Sequence, residues 1–399
     1  YESIKLILYS FLVLFLKPGN QLKHKKRFER YWTENIGGIA SLCTPTARAG
    51  LYVLLKSWNI KDGDEVLVTG FTCSAVPEPI ILNGAKPVYV DIDKSTFCMD
   101  LAKIKKAINA KTKCIIVQHT FGISAEVNRI CQIAESNNIK VIEDCALALG
   151  NKKYKKFLGS QGDASYWSFE LSKTISVGWG GLIQLNKDKN LEKKIRDEIE
   201  SADKLSRLVK CQKLFQGGVS GLLYRPRVGI FRYFLPLFFK LQLFKKSSQT
   251  PADNLSMPDD RQWKILLEQL KRLDQLVFNN KKIINEYKRI FKKINYNQND
   301  KFINNNEFCM LRLPVYVENP EKCLKLFYLE GVEIGTWFKK PVSSGNLDED
   351  SYYYNDGDCM VAERACKKII NLPVSPRMKI KDLSKIENII NSISLNKSL

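Results

Sequence analysis

Histidine and paired cysteines are scarce in this chain of 399 residues. It contains two histidines, His24 and His119, and none of its eleven cysteines forms a C-x-x-C pair. Structural zinc and iron–sulfur sites use closely spaced Cys and His ligands, so neither kind of site is predicted. Unpaired cysteines in apolar runs are typical of small buried side chains in a reducing compartment, and we expect a cytoplasmic protein.

Long apolar runs are also missing. The N-terminal run at residues 4–16 (IKLILYSFLVLFL) is short for a membrane-spanning helix and contains Lys5. No small-residue cleavage site follows it, and the next stretch is basic, so a signal peptide is a poor match. We expect an interfacial or packed helix here, with a truncated membrane anchor as the alternative.

Positive charge is in excess: 63 Lys and Arg against 42 Asp and Glu give a formal net charge of +21. No motif of a nucleic-acid-binding fold accompanies it, so we predict no nucleic-acid partner. Residues 203–246 interleave basic and large apolar side chains and contain a single acid, Asp203. This pattern suits peripheral contact with the inner face of an anionic membrane, and it equally suits a helical insertion packed on the protein itself or on a dimer partner.

The middle of the chain alternates between two kinds of segment. Short β-rich runs occur at 66–69, 87–91, 114–118, 140–144, 165–169 and 181–185, and helical patterns occur at 46–57, 74–83, 100–109 and 126–137. Nearly continuous apolar strands linked by helices predict an α/β fold with a mainly parallel sheet covered on both faces. Ligands of such folds bind at the carboxyl ends of the strands.

Changes in composition divide the chain into three parts. We expect an N-terminal apolar and basic arm at 1–40 and a large domain at 41–250 that includes the insertion 203–246. A small α+β domain follows at 251–399. Within it, 259–297 is predicted to be one long amphipathic helix, 309–317 and 334–338 are strand-like, and helices are expected near 320–330, 359–369 and 380–394.

Three residues in the large domain suggest chemistry. Asp144 ends a predicted strand, Ser168 lies in the next one, and Lys173 follows five residues later, before the glycines at 178, 180 and 181. An acid, a hydroxyl and an amine in one crevice suit several reactions, and binding of pyridoxal phosphate (PLP) is one of them. A helix-capping acid and a solvated lysine are the alternative for the same residues.

Four segments in fixed order favour the cofactor. GDEVLVTGFTCSAVPEPIILNGAKPVYVDID, VIEDCALALG, GSQGDASYWSFELSKTISVGWGGLI and AERACKKIINLPVSP resemble the DegT/DnrJ/EryC1/StrS family of sugar aminotransferases. The resemblance implies PLP-dependent transferase fold type I, with a seven-stranded sheet in a large domain and a small C-terminal domain. It also implies a homodimer that moves an amino group from a donor, glutamate in the family, to a nucleotide-linked keto-sugar during polysaccharide or other amino-sugar biosynthesis.

The resemblance also assigns residues for catalysis. In S-F-E-L-S-K, Lys173 falls on the lysine to which the family attaches PLP. In V-I-E-D, Asp144 falls on the acid that pairs with the pyridine nitrogen. A displaced lysine amine can then move the substrate proton as a general base and acid. We therefore predict Lys173 and Asp144 as the catalytic residues.

Further residues are implied for the cofactor's phosphate and ring. Ser168, Thr46 and Ala47 fall on the family's phosphate contacts, the last two at the start of a helix. Asn254, in N-L-S-M, falls on an asparagine that the family sends to the phosphate from the partner subunit. Cys73 stands where many members place an aromatic side chain over the ring, and Phe71, Phe121 or His119 are alternatives for that cover.

Two departures from the family keep other functions open. Leu147 replaces the Gln or His that contacts the ring hydroxyl, and Ser256 replaces an arginine. A member without catalysis, serving as a binding or regulatory protein, is therefore one alternative. A PLP-dependent sugar dehydratase is another, although its relatives place His where Lys173 stands. Arg48 and Lys339 are considered for the substrate's phosphates, with an ordinary surface charge as the alternative for each.

Overall fold

A computed structural model gives the fold. It describes residues 2–15, 22–223, 250–294, 308–343, 347–375 and 380–393, together with residues 244, 296 and 378. Within these ranges the predicted α/β class is confirmed, with a mostly parallel sheet flanked by helices.

The main sheet has seven strands in the order β1-β10-β9-β6-β5-β2-β4. Strand β10 runs antiparallel to both of its neighbours, and the other pairs in the sheet are parallel. The strands are β1 Ala40–Thr44, β2 Glu65–Thr69, β4 Lys86–Val90, β5 Thr112–Gln118, β6 Lys140–Asp144, β9 Ala164–Ser168 and β10 Gly181–Leu185. Six of them match the predicted runs. Strand β1 was missed, because its ASLCT sequence has little of the apolar repetition that marked the other strands.

Three two-stranded sheets complete the strands. They pair β3 Thr72–Cys73 with β12 Val342–Ser343, β7 Lys152–Lys153 with β8 Lys156–Phe157, and β11 Arg312–Tyr316 with β13 Ile369–Pro373. The parallel β3–β12 pair joins a loop beside the main sheet to the C-terminal part of the chain.

Helices cover both faces of the main sheet and surround the small β11–β13 sheet. Their bounds are α1 Glu2–Phe15, α2 Lys23–Asn35, α3 Ala47–Ser57, α4 Pro77–Leu82, α5 Leu101–Ala107, α6 Val127–Glu135, α7 Leu191–Glu200, α8 Arg207–Leu223, α9 Arg261–Leu270, α10 Leu273–Lys293, α11 Pro320–Leu329, α12 Met360–Lys368 and α13 Ile380–Asn391. Short 3₁₀ turns lie at Thr120–Gly122 and Glu349–Tyr352.

The N-terminal helix α1 packs against the rest of the protein. The sequence predicted an interfacial or packed helix here, with a truncated membrane anchor as the alternative. The helix lies along α8, where Gly218 lets the two backbones approach closely and Gly221 leaves room for the Ser3 side chain. A Cβ on Gly218 would stand 2.7 Å from the Ser3 carbonyl oxygen. None of the described helices is both long and apolar enough to cross a membrane. Half of the basic insertion 203–246 (residues 224–243, 245 and 246) lies outside the described residues.

One long helix was predicted at 259–297, and this prediction is wrong: the chain forms two helices, α9 and α10. The break falls at Lys271 and Arg272, where the amide of Arg272 bonds three residues back, to the carbonyl of Gln269. The two helices bury their apolar faces in different cores. Trp263 of α9 packs with Phe28 and Phe169 beside the main sheet, whereas α10 packs over the small β11–β13 sheet.

The strand-like segment 334–338 is also not a regular strand. Only Gly335 bridges to the small sheet, at Asn371. The side chain of Asn371 accepts a hydrogen bond from the Trp337 amide at 2.6 Å, which turns this segment away from the sheet. As a result Trp337 comes to lie next to Lys173.

Candidate active site

The carboxyl edge of the main sheet collects the residues that the sequence singled out. Asp144 ends β6 and Ser168 ends the neighbouring β9. Because β10 is antiparallel, its first residue, Gly181, lies at the same edge and pairs with Ser168. Thr44 of β1 pairs with the other side of Gly181. The sheet order therefore brings together segments that are more than one hundred residues apart in sequence.

Helix α3 begins directly above this edge. Thr46 caps the helix, and its hydroxyl accepts a hydrogen bond from the Ala49 amide at 3.0 Å. Gly181 lies against the first turn so closely that a Cβ there would stand 2.4 Å from the Ala47 nitrogen. The amides of a helix's first turn carry partial positive charge and favour an anion. Thr46, Ala47 and Ser168 are thus grouped around one helix N-terminus.

A buried amide of α9 adds a donor at this helix start. Gln262 is 2% exposed, and its Nε2 atom has no hydrogen-bond partner among the described residues. The same atom would stand 3.4 Å from a Cβ on Gly180, and Gly180 forms a bridge to Thr46. Leaving a buried N–H donor without a partner costs about 1–3 kcal/mol, so an acceptor at this place would satisfy it.

Asp144 is almost fully buried, and its surroundings set its protonation. Burial raises the pKa of its carboxyl, while the Ala146 amide, the Tyr166 hydroxyl and the charge of Lys173 offset part of that rise. The Ala146 amide donates to Asp144 Oδ1 at 2.9 Å. Tyr166 lies opposite Asp144 in the β6–β9 register. A buried carboxylate of this kind is stabilised when a cation comes beside it.

Lys173 lies in the loop after β9, and its positive charge lowers the pKa of the Asp144 carboxyl. The charges of Asp144 and Lys173 both affect the pKa of the Cys73 thiol. Burial raises this pKa, the carboxylate of Asp144 raises it further, and the ammonium of Lys173 lowers it. Lys173 follows the end of β9 by five residues, and β9 pairs with β6, which ends at Asp144. Lys173 Nζ also lies 6.0 Å from the centre of the Trp337 ring.

This arrangement fits PLP. Thr46 and Ser168 lie at the first turn of α3, whose amides favour an anion such as a phosphate, and the unpartnered Gln262 donor lies close by. Asp144 is a buried anion for a protonated ring nitrogen, and Lys173 supplies the amine. The roles of these residues stay predictions, but their placement agrees with the chemistry that each was assigned.

His119 is a structural residue. Its Nε2 lies 3.0 Å from Glu143 Oε2, and its Nδ1 accepts a hydrogen bond from the Ala125 amide. Glu143 also accepts hydrogen bonds from the amides of residues 159, 161 and 162. Burial raises the pKa of Glu143, but these hydrogen bonds and His119 outweigh it and hold the pKa below its usual value. Both ring nitrogens of His119 are therefore engaged away from any ligand.

The other candidates for covering the ring are packed into a core. Phe71 and Phe121 are buried, and their rings contact each other and Phe97. Neither side chain is free to stack on a ligand. Leu147 is half-buried on the turn after Asp144, where it offers no hydrogen-bonding atom.

Three charged or polar candidates, Arg48, Lys339 and Asn254, were also predicted from the sequence, and each has different surroundings. Arg48 is buried in an ion pair with Glu78, at 2.8 Å, and donates to the Thr250 carbonyl at 3.1 Å. It is therefore neither an ordinary surface charge nor directed at solvent. Lys339 is exposed. Asn254 is exposed as well, and its side-chain oxygen accepts a hydrogen bond from the Ser256 amide.

A cavity of about 460 Å³ opens on one side of Lys173. It lies between the loop of Lys173, helix α10 and the small sheet. Its lining includes Lys173, Arg272, Asn280, Arg312, Glu333 and Val374. Sequence reasoning missed Trp337 and Arg312, which stack on each other at 4.5 Å. The paired aromatics in GTWFKK were a weak signal, and nothing in the sequence placed them beside Lys173.

Comparison with known proteins agrees with the fold and the motifs. The chain matches the DegT/DnrJ/EryC1/StrS aminotransferase family over residues 19–393. A GDP-perosamine synthase of Escherichia coli O157:H7 is 36% identical over 173 residues, which cover 43% of this chain and 46% of that protein. A UDP-N-acetyl-3-dehydro-alpha-D-glucosamine 3-aminotransferase of Acidithiobacillus ferrooxidans is 38% identical over 37% of this chain and 40% of its own length. The matched region thus spans less than half the length of these curated relatives.

Solved structures show the same fold over nearly the whole chain. An aminotransferase of Helicobacter pylori involved in the biosynthesis of pseudoaminic acid superposes with a TM-score of 0.76 and 20% identity, over 98% of this chain and 96% of its own. A family member from Brucella abortus gives a TM-score of 0.75 at 22% identity, over 98% of this chain and 95% of its own. The resemblance found in the sequence is confirmed, and the chain belongs to the DegT/DnrJ/EryC1/StrS aminotransferase family.

Proposed function

We propose that this protein is a PLP-dependent aminotransferase that moves an amino group from glutamate to a nucleotide-linked keto-sugar. The proposal is supported by the sheet order: β6 ends at the buried Asp144, its neighbour β9 leads into the loop of Lys173, and α3 begins at the same sheet edge. Two curated relatives whose names specify a GDP-linked or a UDP-linked sugar are 36% and 38% identical to part of the chain, which supports a nucleotide-linked substrate. Amino-sugar or polysaccharide biosynthesis is the process that such an activity would serve.

Each residue of the cluster has a separate task in this proposal. When bound, the cofactor supplies an electron-accepting ring. Asp144 favours a positive charge at the ring nitrogen, because its own buried charge lacks a full counter-charge. The first turn of α3, Gln262 and Ser168 orient the phosphate. Lys173 holds the cofactor and, once released by the substrate, moves the proton at the reacting carbon.

The proposal is tested by the donor half-reaction in the absence of a sugar. Purified protein loaded with PLP should lose its visible absorption band on addition of glutamate and release 2-oxoglutarate in an amount close to the number of active sites. Only a transaminase produces both changes without an acceptor. Aspartate, alanine and glutamine serve as a panel that identifies the donor.

The same experiment decides between the alternatives. A band that survives saturating concentrations of all four donors would contradict the transaminase and favour a member without catalysis, for which Leu147 is the motivating feature. A sugar dehydratase would consume a nucleotide sugar without any amino donor.

We also propose that the protein is a homodimer with shared active sites. Asn254 is exposed on a segment that the Arg48–Thr250 hydrogen bond fixes next to α3, which suits a contribution to a partner's site. Co-expressed chains carrying Lys173→Ala and Asn254→Ala should regain part of the activity that each lacks, because one mixed site contains both intact residues. No recovery, with mixed dimers present, would contradict a shared site.

Peripheral membrane contact is proposed for the surface that α1 presents. Ile4, Leu8, Phe11 and Leu12 form an exposed apolar stripe, between 40% and 57% exposed, and the exposed bases Lys23, Lys26 and Arg27 follow it. An apolar stripe with adjacent positive charge suits an anionic bilayer. The protein should sediment with anionic liposomes at low salt and be released at high salt. Leu8→Asp should weaken this binding, whereas Leu329→Asp, at an exposed leucine on α11, should not; equal recovery with neutral liposomes would contradict the proposal.

A further inference from the structure

Arg312 occupies an unusual position for a half-buried cation. Its guanidinium carbon lies 4.5 Å from the centre of the Trp337 ring. Among the described residues its side chain forms no ion pair and no hydrogen bond, whereas other half-buried arginines such as Arg196 and Arg261 are paired with carboxylates. A guanidinium has five donors, and stacking on an indole satisfies none of them.

The Trp337 ring connects Arg312 to the reactive amine. Lys173 Nζ lies 6.0 Å from the centre of the same ring, and both cations line the cavity of about 460 Å³. Arg272 lines it as a third cation, and Glu333 is an acid on its lining. The cavity is therefore electropositive next to the residue that attaches the cofactor, which favours an anionic ligand.

A second, independent feature of the cavity also indicates a ligand. Asn280 is 2% exposed and lines the same cavity. Its side-chain nitrogen contacts the Cys309 sulfur at 3.5 Å, while its Oδ1 atom has no partner among the described residues. A buried amide oxygen without a donor costs about 1–3 kcal/mol, and a ligand hydroxyl or amine would relieve that cost.

We propose that Arg312 binds an anionic oxygen group of a substrate in this cavity, with Asn280 accepting a hydrogen bond from the same molecule. This inference rests on the proposed function, because it names the recognition site for that reaction's substrate. Two sources supply the required chemistry: the carboxylates and amine of an amino-acid donor, or the diphosphate and hydroxyls of a nucleotide sugar. A guanidinium can bind either anion through two parallel hydrogen bonds.

Binding is tested first without catalysis. The PLP-loaded protein is titrated by calorimetry with glutarate, a dicarboxylate that cannot donate an amino group, and separately with inorganic diphosphate. Arg312→Gln should weaken binding of one of these probes by roughly tenfold or more, because a charged hydrogen bond is lost. Arg312→Lys should retain part of the affinity. Arg289→Gln, at an exposed arginine on the outer face of α10, is the control and should leave both affinities unchanged.

Kinetics then identify the source. If the ligand is the donor, Arg312→Gln should raise the KM for glutamate with a smaller change in kcat and leave the KM for the sugar nucleotide unchanged; the reverse pattern indicates the nucleotide. Either pattern supports the site. Unchanged affinity for both probes in a folded Arg312→Gln protein would overturn it. The probes bind without transamination, so this result differs from a failure of the proposed function. A protein that binds the probes through Arg312 and does not transaminate would contradict the proposed function alone.

Discussion

Lys173→Ala is expected to abolish both the visible absorption of the PLP-loaded protein and its transamination. The amine of Lys173 is the only group assigned to hold the cofactor covalently, and the same amine moves the substrate proton. Removing a positioned proton-transfer group alone slows a reaction by roughly 10²–10⁴-fold, and losing the covalent attachment adds to this. We therefore expect a rate at least about 10³-fold lower, measured as 2-oxoglutarate formed per chain.

Two further variants separate chemistry from folding. Lys173→Arg keeps the positive charge near Asp144 and Trp337, but a guanidinium is not a nucleophilic amine at neutral pH, so it should be as inactive as the alanine variant. Lys189→Ala removes an exposed lysine from the loop after β10 and should behave as wild type. A Lys173→Ala protein that keeps the wild-type band would contradict the assignment of the cofactor lysine.

Much of the main sheet was predictable because its strands are buried on both faces. Runs such as CIIVQ and KVIED are apolar nearly throughout, and each is flanked by a helix with a clear apolar face. The sequence predicted Asp144, Ser168 and Lys173 in one crevice, and the structure has Asp144 and Ser168 at the ends of neighbouring strands, with Lys173 in the loop that follows. That placement follows from β6 and β9 being neighbours, since the carboxyl ends of parallel strands meet.

What could not be predicted depends on contacts between distant segments. Gln262 lies on α9, and its sequence neighbourhood looks like an ordinary amphipathic helix; its importance comes from the bridge between Gly180 and Thr46 that brings it to α3. Trp337 likewise reaches Lys173 only because Asn371 turns its segment out of the small sheet. The sequence analysis did not single out Tyr166, although it lies in a quoted motif. Its position opposite Asp144 becomes visible only from the register of β6 and β9.

Asp144→Asn is expected to have opposite effects on stability and on activity. Burial raises the pKa of Asp144 in the folded protein above the value of about 3.9 for an unfolded aspartate. The stabilisation associated with its protonated form is complete below pH 3.9 and is lost as the pH rises through the folded pKa. At neutral pH the buried charge therefore destabilises the cofactor-free protein.

Asparagine removes that charge and can keep the hydrogen bond from the Ala146 amide. The cofactor-free variant should unfold at a higher denaturant concentration than wild type at pH 7, and the difference should shrink as the pH approaches 4. Ser165→Ala, at a buried side chain of β9 that carries no charge, is the control and should show no comparable pH dependence. A variant less stable than wild type at pH 7 would show that the folded protein already neutralises Asp144.

The activity of Asp144→Asn should fall, although its stability rises. The carboxylate charge that destabilises the cofactor-free protein is the charge that pairs with the ring nitrogen of the bound cofactor. With PLP bound, Asp144 gains a cation at the ring nitrogen, so wild type should be stabilised by the cofactor more than the variant is. The rate of 2-oxoglutarate formation should fall roughly 100-fold in Asp144→Asn, in line with the loss of a charged hydrogen bond that is strongest when the ring accepts electrons. If the variant gains stability and keeps its rate, the carboxylate is not the group that tunes the ring. If it loses its rate with no gain in stability, the buried charge is already balanced by Lys173 before the cofactor arrives.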